Sequence, residues 1–320
     1  MKKISSILLA AITALSICSC GQMVANDRIT VVCTVFSQYD WAKNIIGERK
    51  DKFNLSWLAQ NGSDIHSYQP TAQDIVMLSG ADIVISVGGV SDEWAKKAVM
   101  NAHGNTDTLL EMADYVSMKN EETVDGMQHE EHDGHDHGDG DEYDEHIWLS
   151  LKNAKAICRG ISDRIIKADP DGKDIYESNL QKYLSELDSL DKQLSEKLSA
   201  KNKKPLIFAD RFPFRYFADD YDLRYYAAFP GCSAETEASF ETVIFLANKM
   251  KSNNIKTVFT VDDGSSSIAD TVIKNSGVSD VKTVSLCSLQ AVSKKQENSG
   301  LSYLSAMTNN AQKIINSLKE

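Results

Sequence analysis

Short runs of consecutive apolar and β-branched residues recur along this chain, each bounded by turn residues and followed by a helical pattern. Residues 29–36 read ITVVCTVF, 82–87 read DIVISV, 205–209 read PLIFA, 256–261 read KTVFTV and 281–286 read VKTVSL. The first two runs are continuous enough to suit strands buried on both sides, as in a parallel sheet, and the other three also read as strands. A further strand is expected over 53–58. Helices are expected over 40–46, from Thr71 onward, and over 93–101, 237–251, 266–275 and 301–318. Thr71 is followed three residues later by Asp74, the spacing of a capping box. Alternation of this kind predicts an α/β protein with open parallel sheets and helices on both faces.

Between the two β–α series lies one long helical pattern over 171–200. Tyr183, Leu187, Leu190, Leu194 and Leu198 recur at spacings of three and four, giving a single apolar stripe. About 28 helical residues would span roughly 40 Å. Such a helix can brace two lobes as a rigid spine. The 320 residues therefore divide into a first α/β lobe over 21–168, a linking helix over 169–201 and a second α/β lobe over 202–320.

The formal charge is -12, but it is not spread evenly. Between Lys119 and His146 stand twelve Asp/Glu and one Lys, so the rest of the chain is close to neutral. No basic stripe suits nucleic acid. Within this stretch five of the seven histidines fall in eighteen residues, HEEHDGHDHGDGDEYDEH. Imidazole and carboxylate are the ligand types of zinc and its first-row neighbours. With almost no apolar side chains, residues 119–145 are expected to form a loop. His129, His132, His135 and His137 are expected to capture metal ions there.

At the other end, Lys2 and Lys3 precede an apolar run over 4–17 that is too short to span a bilayer permanently. This is the layout of a secretory signal. The signal is expected to occupy residues 1–20. It ends in Ile17-Cys18-Ser19-Cys20-Gly21, which resembles a lipoprotein signal; Cys20, preceded by the small Ser19, fits the lipidated position better than Cys18. The expected location is extracytoplasmic, anchored by lipid to a bacterial membrane. Of the remaining cysteines, Cys33, Cys158, Cys232 and Cys287 permit three pairings. Either a Cys232–Cys287 bridge or buried free thiols would fit, and the absence of CxxC spacing argues against metal ligation.

Two motifs outside the acidic tract carry sharper chemistry. Asp64-Ile65-His66-Ser67-Tyr68-Gln69-Pro70 follows a strand and precedes a helix, which puts His66 at the carboxyl end of a sheet, where open α/β folds bind ligands. Asp144-Glu145-His146-Ile147-Trp148-Leu149-Ser150 closes the tract, and the apolar residues after His146 can fix its backbone.

Together, HSYQP and DEHIWLS resemble the metal-binding lipoproteins of zinc and manganese ABC importers, the cluster A-I solute-binding proteins. The resemblance covers nearly the whole chain after the signal. It implies two Rossmann-like lobes joined by one long rigid helix, with one metal ion in the interlobe cleft. His66 matches the family's first His ligand and His146 its second. At the third position the family has His or Glu; here Asp210 is the nearest donor. For the fourth, Asp262 or its neighbour Asp263 fits, with Glu235 and Glu237 as reserves. The His-rich loop points to Zn2+ as the transported ion, with Mn2+ or iron as alternatives.

The resemblance also implies capture and delivery without bond-making, by a monomer partnered with a membrane permease and its cytoplasmic ATPase. Histidine ligands must be neutral to bind, so affinity should fall below about pH 6. An anchored zinc hydrolase would need an activated water and a base, and the chain has no HExxH or GxSxG. A surface adhesin is the other reading left open.

Overall fold

The computed structural model describes residues 28–128, 143–198, 204–233, 237–262, 264 and 266–319. Cys20, the loop histidines 129, 132, 135 and 137, Glu235 and Asp263 lie outside the described residues.

Two four-stranded sheets form the frame. In the first, β1 (Ile29–Cys33), β2 (Phe53–Trp57), β3 (Ile83–Ser86) and β4 (Leu109–Glu111) lie in the order β2-β1-β3-β4, all parallel. In the second, β5 (Leu206–Arg211), β6 (Tyr225–Phe229), β7 (Thr257–Val261) and β8 (Lys282–Leu286) lie in the order β6-β5-β7-β8, again all parallel. In both sheets the chain order reverses at the central strands, which opens a crevice at their carboxyl ends. Every residue of β3 and of β7 is buried, as strands covered on both sheet faces are.

The strand expected over 29–36 ends at Cys33, because Phe36 already opens helix α1 (Phe36–Ile46). Helices α2 (Ala72–Ser79) and α3 (Glu93–His103) complete the first β–α series. Thr71 and Asp74 form the capping box at the start of α2. Helix α4 (Leu151–Ala168) has no counterpart among the expected helices. It is capped by Ser150, whose side chain accepts from the Asn153 amide, and it buries Leu151, Ala154, Ile157, Cys158, Ile161 and Ile165 at helical spacing. Strands β4 and β6 were likewise not expected. β4 has only three residues, and β6 reads YYAAF, too short and too mixed for a clear alternation.

The linking helix is α5 (Lys173–Leu198), 26 residues long, or about 39 Å. Tyr183, Leu187, Leu190, Leu194 and Leu198 are all buried along it. Asp169 anchors its start, taking bonds from Arg49 and from the Tyr176 hydroxyl. One apolar core follows this helix from Val31 and Trp41 in the first lobe to Phe208 and Phe259 in the second.

The second lobe adds α6 (Arg215–Asp220), α7 (Phe240–Asn253), α8 (Ser267–Ser276), α9 (Lys294–Asn298) and α10 (Tyr303–Ser317). The start of α10 reaches back to the first lobe. The Tyr303 amide donates to Asp40 Oδ2 at 3.0 Å and its hydroxyl to the Trp148 carbonyl at 2.7 Å, while Trp148 Nε1 donates to the Ser288 carbonyl at 2.8 Å. Buried polar groups must be paired, so these bonds hold the lobes at a set distance. No helix among the described residues is long and apolar enough to cross a membrane.

Candidate metal centre

His66 sits in a single 3-10 turn (Ile65–Ser67) after β2. Asp64 caps that turn by accepting from the His66 amide at 3.0 Å. His146 precedes a second such turn (Ile147–Leu149), whose three residues are fully buried. The apolar IWL segment therefore drives His146 inward, and its side chain is 0% exposed.

The two imidazoles, 80 residues apart in sequence, meet with their Nε2 atoms 3.0 Å apart. Their other nitrogens face acceptors. His146 Nδ1 lies 3.0 Å from Asp144 Oδ1, which also accepts from the His146 amide. His66 Nδ1 lies 2.8 Å from Ser91 Oγ and 3.6 Å from Glu145 Oε2. Glu145 is itself held by the Ser91 amide, at 2.9 Å from Oε1, while its buried Oε2 makes no hydrogen bond. Carboxylates at both Nδ1 atoms favour the tautomers whose Nε2 lone pairs face each other. Two lone pairs 3.0 Å apart repel unless a proton or a cation lies between them.

The electrostatics agree. Burial, followed by the positive charge His146 can carry, holds the pKa of His66 well below the ordinary 6.5. Burial also opposes charge on His146, but the Asp144 carboxylate outweighs it and raises the pKa. A shared proton thus belongs to His146, the position a metal would take over.

Next to the imidazoles is a cavity of about 330 Å³ between the lobes, lined by Asp64, His66, Asp210, Arg211, Ser233 and Asp262, among others. Asp210 and Asp262 thus share a cavity with His66, at the ends of β5 and β7. Their oxygens are engaged. Asp210 accepts from the Val261 and Arg211 amides at 2.9 and 2.8 Å. Asp262 accepts from the Ser288 amide at 2.7 Å and from its hydroxyl. Burial raises the pKa of both, against the opposing pull of those hydrogen bonds. Asp262 adopts φ 50°, a left-handed conformation uncommon outside Gly, Asn and Asp. Glu237 is exposed.

One residue enters the cluster against the expectation from spacing. The Cys232 sulfur and a nitrogen of each imidazole all lie within 4.8 Å of one another. No CxxC pattern marks it; the signal available was the Gly231-Cys232 turn at the end of a strand. Among the described residues no disulfide joins Cys33, Cys158, Cys232 and Cys287.

The family described as "Zinc-uptake complex component A periplasmic" matches residues 31–317. The zinc-binding lipoprotein AdcA of Streptococcus pneumoniae is 29% identical over 316 residues, 98% of this chain and 60% of that protein. The chain thus spans about 60% of the length of that relative. The high-affinity zinc uptake system protein ZnuA of Bacillus subtilis is 29% identical over 327 residues, 99% of this chain and 98% of that one. Among solved structures, the metal-dependent lipoprotein YcdH of Bacillus subtilis superposes with a TM-score of 0.73 at 25% identity, covering 91% of this chain and 100% of that one.

Proposed function

Because the chain belongs to the family of periplasmic zinc-uptake components A, we propose that it captures Zn2+ outside the cytoplasm and delivers it to the permease of an ABC importer. The ion is bound and released, with no covalent chemistry performed on it. His66 and His146 supply the first two ligands. Asp210 and Asp262 form the carboxylate side of the cavity, from which an oxygen donor can join the shell once released from its present partners. Two imidazoles with carboxylate oxygens make a set acceptable to zinc, and to Mn2+ with more oxygens.

The observation that carries this reading is the pair of Nε2 atoms 3.0 Å apart. Zn–N bonds of about 2.0–2.1 Å in a tetrahedral site need only a slight parting of the rings. Each ring is already held on its far side, His146 by the Asp144 carboxylate and His66 by the Ser91 hydroxyl, the arrangement that fixes ligand orientation. Outside the described residues, the imidazoles at 129, 132, 135 and 137 raise the local concentration of the ion by weak binding. Lipid attachment through Cys20 keeps the protein at the membrane beside its permease.

Titration calorimetry with Zn2+ tests the site. The wild type should bind one ion tightly, and His66→Ala and His146→Ala should each weaken that ion by more than about 100-fold, beyond the effect of losing a supporting residue. Unchanged tight binding in both variants would refute it.

A further inference from the structure

We propose that Cys232 is the third protein ligand, so that the ion is held by two imidazoles and one thiolate sulfur. This deepens the metal-binding reading and rests on His66 and His146 being ligands.

The argument begins with the turn. Cys232 follows Gly231 directly after β6, so it comes from the second lobe, whereas both imidazoles come from the first. The Cys232 amide donates to Glu121 Oε1 at 2.8 Å, which pins the turn. A Cβ on Gly231 would lie 2.8 Å from the Phe212 carbonyl oxygen and 3.2 Å from His146 Cε1. Glycine at 231 lets the backbone pass between the Phe212 carbonyl and the imidazole, and that approach carries the next residue's sulfur to the ligand atoms.

The second observation is the convergence itself. His146 is wholly buried with its Nε2 aimed at His66, and the sulfur lies within 4.8 Å of ligand nitrogens on both rings. Zn–S and Zn–N bonds of about 2.3 and 2.0–2.1 Å place three such atoms within about 4 Å of one another, so small side-chain shifts suffice. The Cys232 sulfur now hydrogen-bonds with the Glu121 side chain and the Glu145 amide, and Asp210 and Asp262 likewise have both oxygens engaged by backbone or hydroxyl donors; what sets Cys232 apart is its place beside both imidazoles. A carboxylate or a water remains for the fourth position.

In the binding step the S–H bond is replaced by a Zn–S bond, and the proton leaves to solvent; no electron is transferred. Thiolate with imidazole favours Zn2+, while Mn2+ prefers oxygen. The sulfur therefore works as a selectivity element supplied from the opposite lobe.

Co2+ is the probe. Titrated into the wild-type protein, it should give a near-ultraviolet sulfur-to-cobalt charge-transfer band that saturates at one equivalent. Ions held by the His-rich tract contribute no such band, so it reports on sulfur alone. Cys232→Ser and Cys232→Ala should lose the band while far-ultraviolet circular dichroism stays unchanged. Their Zn2+ affinity should fall at least tenfold and their Mn2+ affinity less. A wild type that binds one ion tightly without the band, or a band that survives in both variants, overturns the role of Cys232 and leaves the two histidines standing. A wild type that binds no ion tightly overturns both.

Discussion

The Asp64 carboxylate, in the turn that carries His66, is ion-paired with the Arg211 guanidinium at the end of β5 in the opposite lobe. Asp64 also accepts from Gln290 Nε2 at 2.7 Å. One carboxylate therefore caps the His66 turn and joins it to two second-lobe residues. Arg211 also puts a fixed positive charge on the cavity wall, opposing any incoming cation.

Arg211→Gln should therefore separate stability from affinity. Losing this largely buried ion pair should lower the stability of the metal-free protein by about 1–3 kcal/mol, measured by urea denaturation. Zn2+ should bind the variant several-fold more tightly, because a like charge has been removed. Unchanged stability together with weaker binding would contradict this account.

In the proposed site Asp144 reaches the ion through His146, whose Nδ1 it holds. Asp144→Asn keeps the size but removes the charge that selects the imidazole tautomer. Zn2+ affinity should drop about 10–100-fold, with one ion still bound per chain. Calorimetry reads both quantities, and an unchanged affinity would show that the tautomer is set in some other way.

The two histidines give opposite pH effects. His66 has a lowered pKa in the folded protein, so the unfolded chain takes up its proton first as pH falls below 6.5. Its contribution to stability is thus present above 6.5 and declines as the pH drops from there. His146 has a raised pKa, and its contribution is lost as pH rises through the folded value. Metal-free His66→Ala should accordingly lose less stability than the wild type between about pH 7 and pH 5. For the ion, the proton on His146 is the competitor, so Zn2+ affinity should rise with pH above the ordinary 6.5, as that proton is lost. Affinity that does not change with pH there would rule out His146 as a ligand.

Deleting residues 129–141 should spare the single tight ion and remove the weakly bound ones. Equilibrium dialysis against excess Zn2+ should show fewer ions per chain with the tight constant unchanged. If tight binding disappears as well, capture and holding are not separate tasks.

The elements legible in the sequence were those whose residues report a uniform environment. The runs at β1, β3, β5 and β7 are dominated by apolar and β-branched residues because both sheet faces are covered. The stripe from Tyr183 to Leu198 repeats at helical spacing because one side of α5 lies along the shared core. Helix α4 has a stripe as regular, from Leu151 to Ile165, yet it directly follows the acidic tract, whose composition masked its start. β4 and β6 are short strands whose partners, not their residues, make them strands.

At the site the division is similar. The His66 and His146 turns are local: Asp64, Pro70 and the apolar IWL segment shape them within a few residues, and chain chemistry alone marks them. The meeting of the rings across 80 residues is set by how the first sheet packs its loops. Sequence spacing gave no reason to bring Cys232 to those rings. Its approach depends on a glycine backbone passing the His146 ring and on Glu121, 111 residues away, holding the turn. Local chemistry can declare a donor, but only the packed lobes decide which donors share an ion, because that depends on distances between segments that sequence separation does not encode.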